Sequence, residues 1–265
     1  MSEKEHTFPG GVVNAGSVVR VGDKVFRPAG PHTPVIHAFL RHLQGRGFTC
    51  APHPLDIRDG KECLSFIEGS AAHYPYPEWC LGDEALSKVA RAMRQFHDAA
   101  RGFDFPKDAE FNYNLADPLG GPIIGHNDIS LENTVFKEGE VVGFLDFDFA
   151  APGRPLWDIA RAVILWVPID NPDLAHSYGF GGRDPYKRLK LFCDCYGMQR
   201  SDRLQLVDLI DQVGVKSEAY VKGEVDAGKP AFIELWNKHD LAGIYRRRRQ
   251  WLHENADALT EYISS

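Results

Sequence analysis

The sequence contains no apolar run near the roughly 18 residues that a membrane-spanning helix needs. Its first six residues are polar or charged apart from the initiating methionine, which is not typical of a secretory signal. The five cysteines are odd in number and scattered, so they do not predict a disulfide framework, and the lone pair Cys193 and Cys195 is too small a set for zinc. These absences predict a protein of the reducing cytoplasm that has no membrane partner.

A basic excess is also absent. The chain carries 37 acidic and 30 basic side chains, which gives a net charge of -7. Because nucleic acids and anionic membranes are bound by basic faces, we expect neither as a partner. The four consecutive arginines at residues 246–249 fall within a helical pattern that spreads them around the helix. That placement favours a solvated face with local acid partners over a nucleic-acid patch.

The 265 residues are enough for one large domain or two small ones. The first 70 residues contain two hairpin patterns and one helical pattern over Pro34–Gln44. From Asp83 onward the apolar residues recur mainly at helical spacing, including one long pattern over Ile233–Leu252. We therefore predict a small β-rich N-terminal lobe over residues 1–69 and a larger helical C-terminal lobe over residues 70–265.

Polar side chains concentrate around a predicted hairpin in the middle of the chain. Apolar strands at Thr134–Phe136 and Val142–Leu145 flank a short turn. Since a hairpin reverses direction, the loop before the first strand and the residues after the second lie at the same end. The residues expected to converge there are His126, Asp128, Asn133, Asp146 and Asp148. Carboxylate and amide oxygens suit Mg²⁺ that also binds substrate phosphates.

Three motifs in order carry a family resemblance. The spacing H-x-D-x-x-x-x-N from His126, then L-D-F-D at 145–148 and P-L-W-D-I-A at 155–160, resembles the aminoglycoside phosphotransferase and choline kinase family. The resemblance covers about residues 9–165 as motifs. It implies an α+β, protein-kinase-like bilobal fold and phosphoryl transfer from ATP or GTP, with Mg²⁺, to a hydroxyl group.

The resemblance also implies roles for the converging side chains. Asp128 would be the catalytic base, and Asn133 and Asp146 would ligate Mg²⁺. Asp148 would touch a second metal ion or only shape the loop, and the motif leaves both open. His126 belongs to the same catalytic motif, where a structural role in holding the loop is favoured over a role as general base. Asp158, at a helix start, is expected to accept hydrogen bonds from loop amides.

The resemblance implies that nucleotide is bound by the N-terminal lobe. The segment Gly10-Gly11-Val12-Val13-Asn14 is similar to the family's nucleotide loop, so Gly10, Gly11 and Asn14 are candidate binding residues. Arg27 stands where the family places a phosphate-binding cation. The Ser65 carbonyl and the Ile67 amide are expected to bond the purine.

Kinases usually pair that cation with a glutamate on the next helix. The helix predicted over Pro34–Gln44 contains no acidic residue. Either another acid pairs with Arg27, or the arginine, which is always protonated, needs none.

The predicted partner is a small molecule with a hydroxyl group: an aminoglycoside, sugar, nucleoside or amino alcohol. We expect its contacts from the helical half, including the loop Asn171–Arg183 and the last helices. A cationic acceptor would need clustered carboxylates, and the candidates are Asp170, Asp173, Glu234, Glu254, Asp257 and Glu261. A quaternary ammonium would need aromatic side chains, for which Tyr178, Phe180 and Trp236 are candidates. Arginines in the same region favour neither.

Two other functions stay open at this point. A catalytically silent, nucleotide-binding module would explain the helix without an acid. A metal-dependent hydrolase would use His126 and Asp128 but needs further ligands. The sequence does not distinguish ATP from GTP, and it does not indicate the oligomeric state.

Overall fold

The computed structural model describes residues 5–7 and 17–265, so Gly10, Gly11 and Asn14 lie outside the described residues. A five-stranded antiparallel sheet forms the N-terminal part, in the order β1-β2-β3-β5-β4. Its strands are β1 (Glu5–Thr7), β2 (Val19–Val21), β3 (Lys24–Pro28), β4 (Pro54–Arg58) and β5 (Lys61–Ser65). Helix α1 (Thr33–Gly45) connects β3 to β4 and includes the whole predicted helix.

Both predicted N-terminal hairpins are confirmed. Gly22 turns between β2 and β3 with a φ of 62°, and Asp59 and Gly60 turn between β4 and β5 with φ values of 52° and 71°. Two successive residues with positive φ match the right-handed twist of the flanking strands, and Asp-Gly is a favoured pair for that turn. The turn sets the register of β5, which in turn pairs with β3.

The rest of the chain is mainly helical around two small antiparallel sheets. One sheet has the order β6-β8-β9 and the other pairs β10 with β7. The strands are β6 (Ser70–Ala71), β7 (Ile123–Gly125), β8 (Thr134–Lys137), β9 (Glu140–Phe144) and β10 (Ala151–Gly153). The helices are α2 (Glu78–Leu81), α3 (Asp83–Ala99), α4 (Pro155–Trp166), α5 (Pro172–Ser177), α6 (Pro185–Tyr196), α7 (Arg200–Asp226), α8 (Pro230–Lys238) and α9 (Leu241–Ser264).

The chain passes from the first sheet to the second between Ser65 and Ser70. A small sheet lobe and a larger helical part match the predicted bilobal α+β class. The division at residues 69 and 70 stays a prediction. No helix in the described ranges is both long and apolar enough to cross a membrane.

Two predicted elements differ from the structure. The helical pattern over Ile233–Leu252 is broken between α8 and α9, where Asp240 takes a φ of 47° and its side chain accepts a hydrogen bond from the Gly243 amide. An N-cap of this kind starts a new helix where apolar periodicity alone suggests continuation. The predicted loop Asn171–Arg183 contains α5, which begins with an Asn-Pro pair whose asparagine accepts the Leu174 amide.

Buried aromatic rings fix the hairpin β8–β9 against α3. Phe96 of α3 lies 6.3 Å from Phe144 and 6.1 Å from Phe147, between ring centroids. All three rings are almost completely buried. Because interiors are packed as densely as organic crystals, such a cluster holds the residues that follow β9 in a fixed place.

Candidate active site

The hairpin β8–β9 delivers the predicted polar residues to one end. Thr134 pairs with Phe144, and the Leu145 amide donates to the Asn133 carbonyl at 2.8 Å. The turn residues Glu138 and Gly139 have φ values of 53° and 79°. The loop before β8 and the aspartates after β9 therefore lie side by side, as the hairpin argument predicts.

The loop from His126 to Asn133 is held from beneath by Asp158 at the start of α4. Its carboxylate accepts the His126 amide at 2.8 Å and the Asn127 amide at 2.7 Å. It also accepts from His97 Nε2 at 3.0 Å, and both side chains are about 1% exposed. The predicted role of Asp158 is confirmed. The network lets Asn127 keep a φ of 62°, which is uncommon for a residue other than glycine.

His126 is completely buried, and both of its ring nitrogens are engaged. Nε2 lies 2.9 Å from the Leu145 carbonyl, and Nδ1 accepts the Asp128 amide at 3.3 Å. Burial lowers the pKa of His126 to about 4, so the ring is neutral and carries its proton on Nε2. This geometry suits a positioning role, because a ring that faces no solvent cannot meet a substrate.

Asp128 points from the same loop towards the open side. Asn133 Nδ2 donates to its carboxylate at 2.9 Å and to its carbonyl at 3.0 Å, while Arg161 lies 3.6 Å from the other oxygen. Burial raises the pKa of Asp128 to about 6, although Arg161 opposes the rise. The carboxylate is still 26% exposed. A general base needs this combination of access and a pKa near the working pH.

Asp146 and Asp148 follow β9 and lie close enough together for Arg27 to contact both. Asp146 has a φ of 61°, and Asp148 lies in the short 3₁₀ turn Phe147–Phe149. Arg27 bridges the two, donating at 2.8 Å to Asp146 and at 2.5 Å to Asp148. His32 adds a contact to Asp148 at 3.4 Å. Two neighbouring carboxylates repel each other, so this pair requires a cation, which Arg27 supplies.

The acid that pairs with Arg27 comes from a strand and not from the helix. Glu62 lies opposite Arg27 in the β3–β5 register and accepts from its Nε at 2.5 Å. The other oxygen of Glu62 accepts from His37 Nε2 of α1 at 2.9 Å. Glu62 is 2% exposed and His37 is fully buried. The helix thus still contacts the ion pair, but through a histidine.

The donor set fits a hard divalent cation. Asn133 Nδ2 is committed to Asp128, which leaves the amide oxygen as its free ligand atom. Burial and the neighbouring Asp148 raise the pKa of Asp146, so a cation at this place would be favourable. Among the described residues no three His, Cys, Asp or Glu side chains group as a metal site. The ligand set here instead includes the Asn133 amide oxygen. A set with few protein ligands suits Mg²⁺, because that ion keeps several bound waters.

The two residues predicted to contact the purine are Ser65, the last residue of β5, and Ile67, in the segment between the two sheets. The Phe66 amide donates to the Asp23 carbonyl at 2.7 Å, which ties this segment to the β2–β3 turn. The Ile67 amide makes no backbone hydrogen bond within the described residues, so it is available to a base. Its side chain packs over Gly143, where a Cβ atom would come within 2.6 Å of the Ile67 side chain.

The six carboxylates suggested for a cationic acceptor do not form one group. Asp170 is buried and held by Arg248 through two hydrogen bonds, at 2.8 and 3.0 Å. Glu254 pairs with Gln250 along the α9 surface, and Asp257 and Glu261 line a surface cleft with Arg200. Three of the four consecutive arginines have acid partners: Arg247 with Asp240, Arg248 with Asp170, and Arg249 with Glu218.

The three aromatic residues suggested for a quaternary ammonium each contact a different side chain. Tyr178 joins Tyr74 in an edge-to-face pair at 6.2 Å, and Tyr76 donates to Glu132 at 2.5 Å. Phe180 is buried, with Arg188 stacked 5.5 Å from its ring centre. Trp236 lies 6.4 Å from Tyr245.

Four side chains at the site were not predicted from the sequence: Glu62, His37, Glu132 and Arg161. Arg161 could have been predicted as a site residue from its spacing, since it lies three residues after Asp158 on one face of α4. Glu62 gave no such signal, because the Asp59-Gly60 turn sets its register only with Ile57 of β4 and not its pairing with Arg27 of β3.

Known proteins resemble this chain in sequence and in fold. The sequence profile of the phosphotransferase enzyme family (APH) matches residues 86–192. A trifolitoxin immunity protein from Rhizobium leguminosarum bv. trifolii is 30% identical over 247 residues, which cover 88% of this chain and 92% of that protein.

Two solved structures share the fold. A choline/ethanolamine kinase family protein from Mesorhizobium loti superposes with a TM-score of 0.66, at 15% identity over 98% of this chain and 92% of that one. An amicoumacin kinase in complex with AMP-PNP and Ca²⁺ gives 0.63, at 10% identity over 91% and 86%. The family profile, the relative of nearly equal length and the shared fold agree with the motifs, and this chain therefore belongs to the phosphotransferase enzyme family of small-molecule kinases.

Proposed function

We propose that this protein transfers the γ-phosphoryl group of ATP, or of GTP, to a hydroxyl group of a small molecule. The convergence of Asp128, Asn133 and Asp146 at one end of the β8–β9 hairpin carries this proposal. A kinase of the same fold holds the ATP analogue AMP-PNP, which favours ATP as the donor.

The residues suit an in-line transfer. The acceptor hydroxyl oxygen attacks the γ-phosphorus, the bond from that phosphorus to the β–γ bridging oxygen breaks, and the hydroxyl proton passes to Asp128. Asn133 holds the Asp128 carboxylate at 2.9 Å, so one oxygen stays oriented while the other accepts the proton. Arg161 near this carboxylate keeps it ionised at neutral pH against the effect of burial.

Mg²⁺ would be held by Asn133 and Asp146, with Asp148 beside them, and would supply charge to the phosphate oxygens. Arg27 would move its two terminal nitrogens from Asp146 and Asp148 to the phosphates. Its Nε would stay on Glu62, because that carboxylate is buried and has no solvent to return to. The Ser65 carbonyl and Ile67 amide remain the proposed purine contacts, together with Gly10, Gly11 and Asn14.

The alternatives have lost their support. The silent nucleotide-binding module rested on the missing helix acid, and Glu62 supplies that acid. The hydrolase required His126 as ligand or base, and both of its ring nitrogens are engaged in the loop.

A nucleoside-diphosphate release assay with Mg²⁺ tests the proposal. The donors are ATP and GTP, and the acceptors are aminoglycosides, nucleosides, sugars, choline and homoserine. Trifolitoxin joins them because the 30% identical relative is a trifolitoxin immunity protein. Asp128→Asn should lower acceptor-dependent turnover by about 10³-fold or more while nucleotide binding persists.

Asp104→Asn is the matched control, since Asp104 is exposed and is not part of the loop from His126 to Asn133. It should leave turnover unchanged. Turnover that survives Asp128→Asn would refute the assignment of the base, and a chain that binds neither nucleotide would refute the kinase itself.

A further inference from the structure

A buried glycine in β9 receives a side chain from the segment that joins the two sheets. Gly143 lies opposite Val135 of β8, and its φ is not positive, so its backbone conformation does not require glycine. A Cβ atom at this position would lie 2.6 Å from Ile67 Cδ1 and 3.1 Å from Ile67 Cγ2. Glycine inside a strand often marks such a close approach. The Ile67 side chain therefore fills a space that any larger residue at position 143 would occupy.

The segment 66–69 is also held at both of its ends. At its start, the Phe66 ring lies against the Arg20 guanidinium, 3.5 Å from the ring centre. At its end, Gly69 has a φ of 151°, and a Cβ atom there would lie 2.6 Å from the Phe136 carbonyl oxygen of β8. The middle of the segment thus lies between one anchor on the N-terminal sheet and another on β8.

The Ile67 amide makes no backbone hydrogen bond within the described residues and is the proposed contact of the purine. Gly143 precedes Asp146, a proposed ligand of Mg²⁺, by three residues, so the two are at most about 11 Å apart. One nucleotide can reach both the Ile67 amide and the metal site only if these two places keep a suitable separation. Docking of Ile67 on β9 sets that separation.

We propose that Gly143 is a positioning residue for the purine: it lets the Ile67 side chain dock on β9 and so holds the Ile67 amide at a set distance from Asp146. This inference rests on the proposed function, in which the Ile67 amide bonds the purine. A methyl group at position 143 would overlap Ile67 Cδ1. Because a packed interior has little free space, the segment would have to move away from β9.

Gly143→Ala tests this with two ligands. The Kd of ATP, or of GTP if that is the donor, should rise about 3- to 10-fold, as for the loss of one hydrogen bond. Tripolyphosphate with Mg²⁺ can occupy only the phosphate contacts, so its Kd should stay unchanged. Isothermal titration calorimetry measures both values. In turnover, KM for the nucleotide should rise while kcat and the KM of the acceptor stay unchanged.

A second substitution should reverse the effect. Ile67→Val removes Cδ1, the atom nearest to the added methyl group, and leaves Cγ2 at 3.1 Å, which a small shift relieves. Gly143→Ala combined with Ile67→Val should therefore bind the nucleotide as tightly as Ile67→Val alone. A double variant as weak as Gly143→Ala would overturn the proposal.

Gly223→Ala is the matched control. Gly223 lies in α7 without a positive φ, and nothing lies within 4 Å of an added Cβ atom. This substitution should change neither Kd.

Ile67→Ala tests the same contact if Gly143→Ala does not fold. It empties the space over Gly143 without adding an atom, so the nucleotide should bind severalfold more weakly and tripolyphosphate equally well. Equal weakening of both ligands would indicate a general effect on the fold and would overturn the proposal.

Binding and turnover together separate this proposal from the proposed function. Nucleotide binding that responds as expected, without turnover of any acceptor, would support the role of Gly143 and refute the phosphoryl transfer. Turnover with a nucleotide Kd that neither Gly143→Ala nor Ile67→Ala changes would overturn the role of Gly143 and leave the transfer. A chain that binds no nucleotide would overturn both.

Discussion

Two arginines contact the carboxylates of the candidate site from different parts of the chain, and their charges are compensated very differently. Arg27, from the sheet lobe, contacts three carboxylates within 2.8 Å. Arg161, from the helical part, has one carboxylate at 3.6 Å and otherwise donates to neutral oxygens. Burial works against the charge of both. The three carboxylates raise the pKa of Arg27 above its usual value, whereas the pKa of Arg161 remains lowered.

The difference separates two uses of a buried cation. Arg27 neutralises a cluster of carboxylates that would otherwise repel one another, so we expect its charge to be needed for the fold. Arg161 is held by hydrogen bonds to a loop carbonyl and a helix hydroxyl, so its charge is compensated only by the carboxylate at 3.6 Å. The first is suited to exchange its carboxylates for other anions, and the second ties the loop that contains Asn127 to α7.

The largest effect should follow Arg27→Met. The change leaves Glu62 charged and 2% exposed with only His37 beside it, and we expect a loss of about 3–5 kcal/mol in the free energy of unfolding. Denaturant unfolding measures it. Arg58→Met, at an exposed strand position, should cost less than about 0.5 kcal/mol.

The double variant Arg27→Met with Glu62→Gln should recover part of that loss, because no buried charge remains. A loss below about 1 kcal/mol in the single variant would contradict the view that Arg27 is required for the fold.

The free energy of unfolding should also depend on pH through His126, by nearly as much as it changes in Arg27→Met. His126 has a pKa of about 4 in the folded chain against 6.5 when free, so the unfolded state binds the proton first. Stability due to this group is complete above pH 6.5 and falls as the pH drops towards 4, by roughly 3 kcal/mol. Unfolding curves at several pH values measure the slope.

In His126→Gln that slope should become shallower, while the exposed His73→Gln keeps the slope of the parent chain. Equal slopes in all three chains would mean that His126 titrates freely and that the loop is not held through a neutral ring.

Local patterns were sufficient to predict that the polar residues of the candidate site come together. The spacing from His126 to Asn133 and the turn before β9 lie within a few residues of each other, so strand alternation and chain reversal bring Asp128 and Asp146 together without knowledge of the rest of the fold. The same holds for the N-terminal hairpins and for α1, whose periodicity and flanking turns are local signals.

Contacts between distant elements were not predictable in this way. Glu62 meets Arg27 only because β5 pairs with β3 across α1, and a shift of one residue would turn it to the other face. Arg248 was grouped with its three neighbours in sequence, yet it is held by Asp170, 78 residues earlier. Such pairings depend on how helices and loops pack, which the periodicity of one element does not specify.

Arg161→Met should be less destabilising than Arg27→Met. It removes hydrogen bonds to the Asn127 carbonyl and to Ser217 but leaves behind a carboxylate that is 26% exposed and can be hydrated. We expect a loss of about 1–2 kcal/mol by denaturant unfolding. A loss of unfolding free energy equal to that of Arg27→Met would mean that both arginines are structural ion-pair partners.

The smallest effect should follow His37→Gln. The amide nitrogen of glutamine can replace His37 Nε2 as donor to Glu62, and the change removes the buried Nδ1, which has no hydrogen-bond partner in the described chain. These two effects oppose each other, so we expect unfolding to change by less than about 1 kcal/mol. If His37→Gln instead destabilises the chain as much as Arg27→Met does, then His37, Glu62 and Arg27 act as one unit. The helix would then control the Arg27 ion pair as directly as a helix glutamate would, although through a histidine.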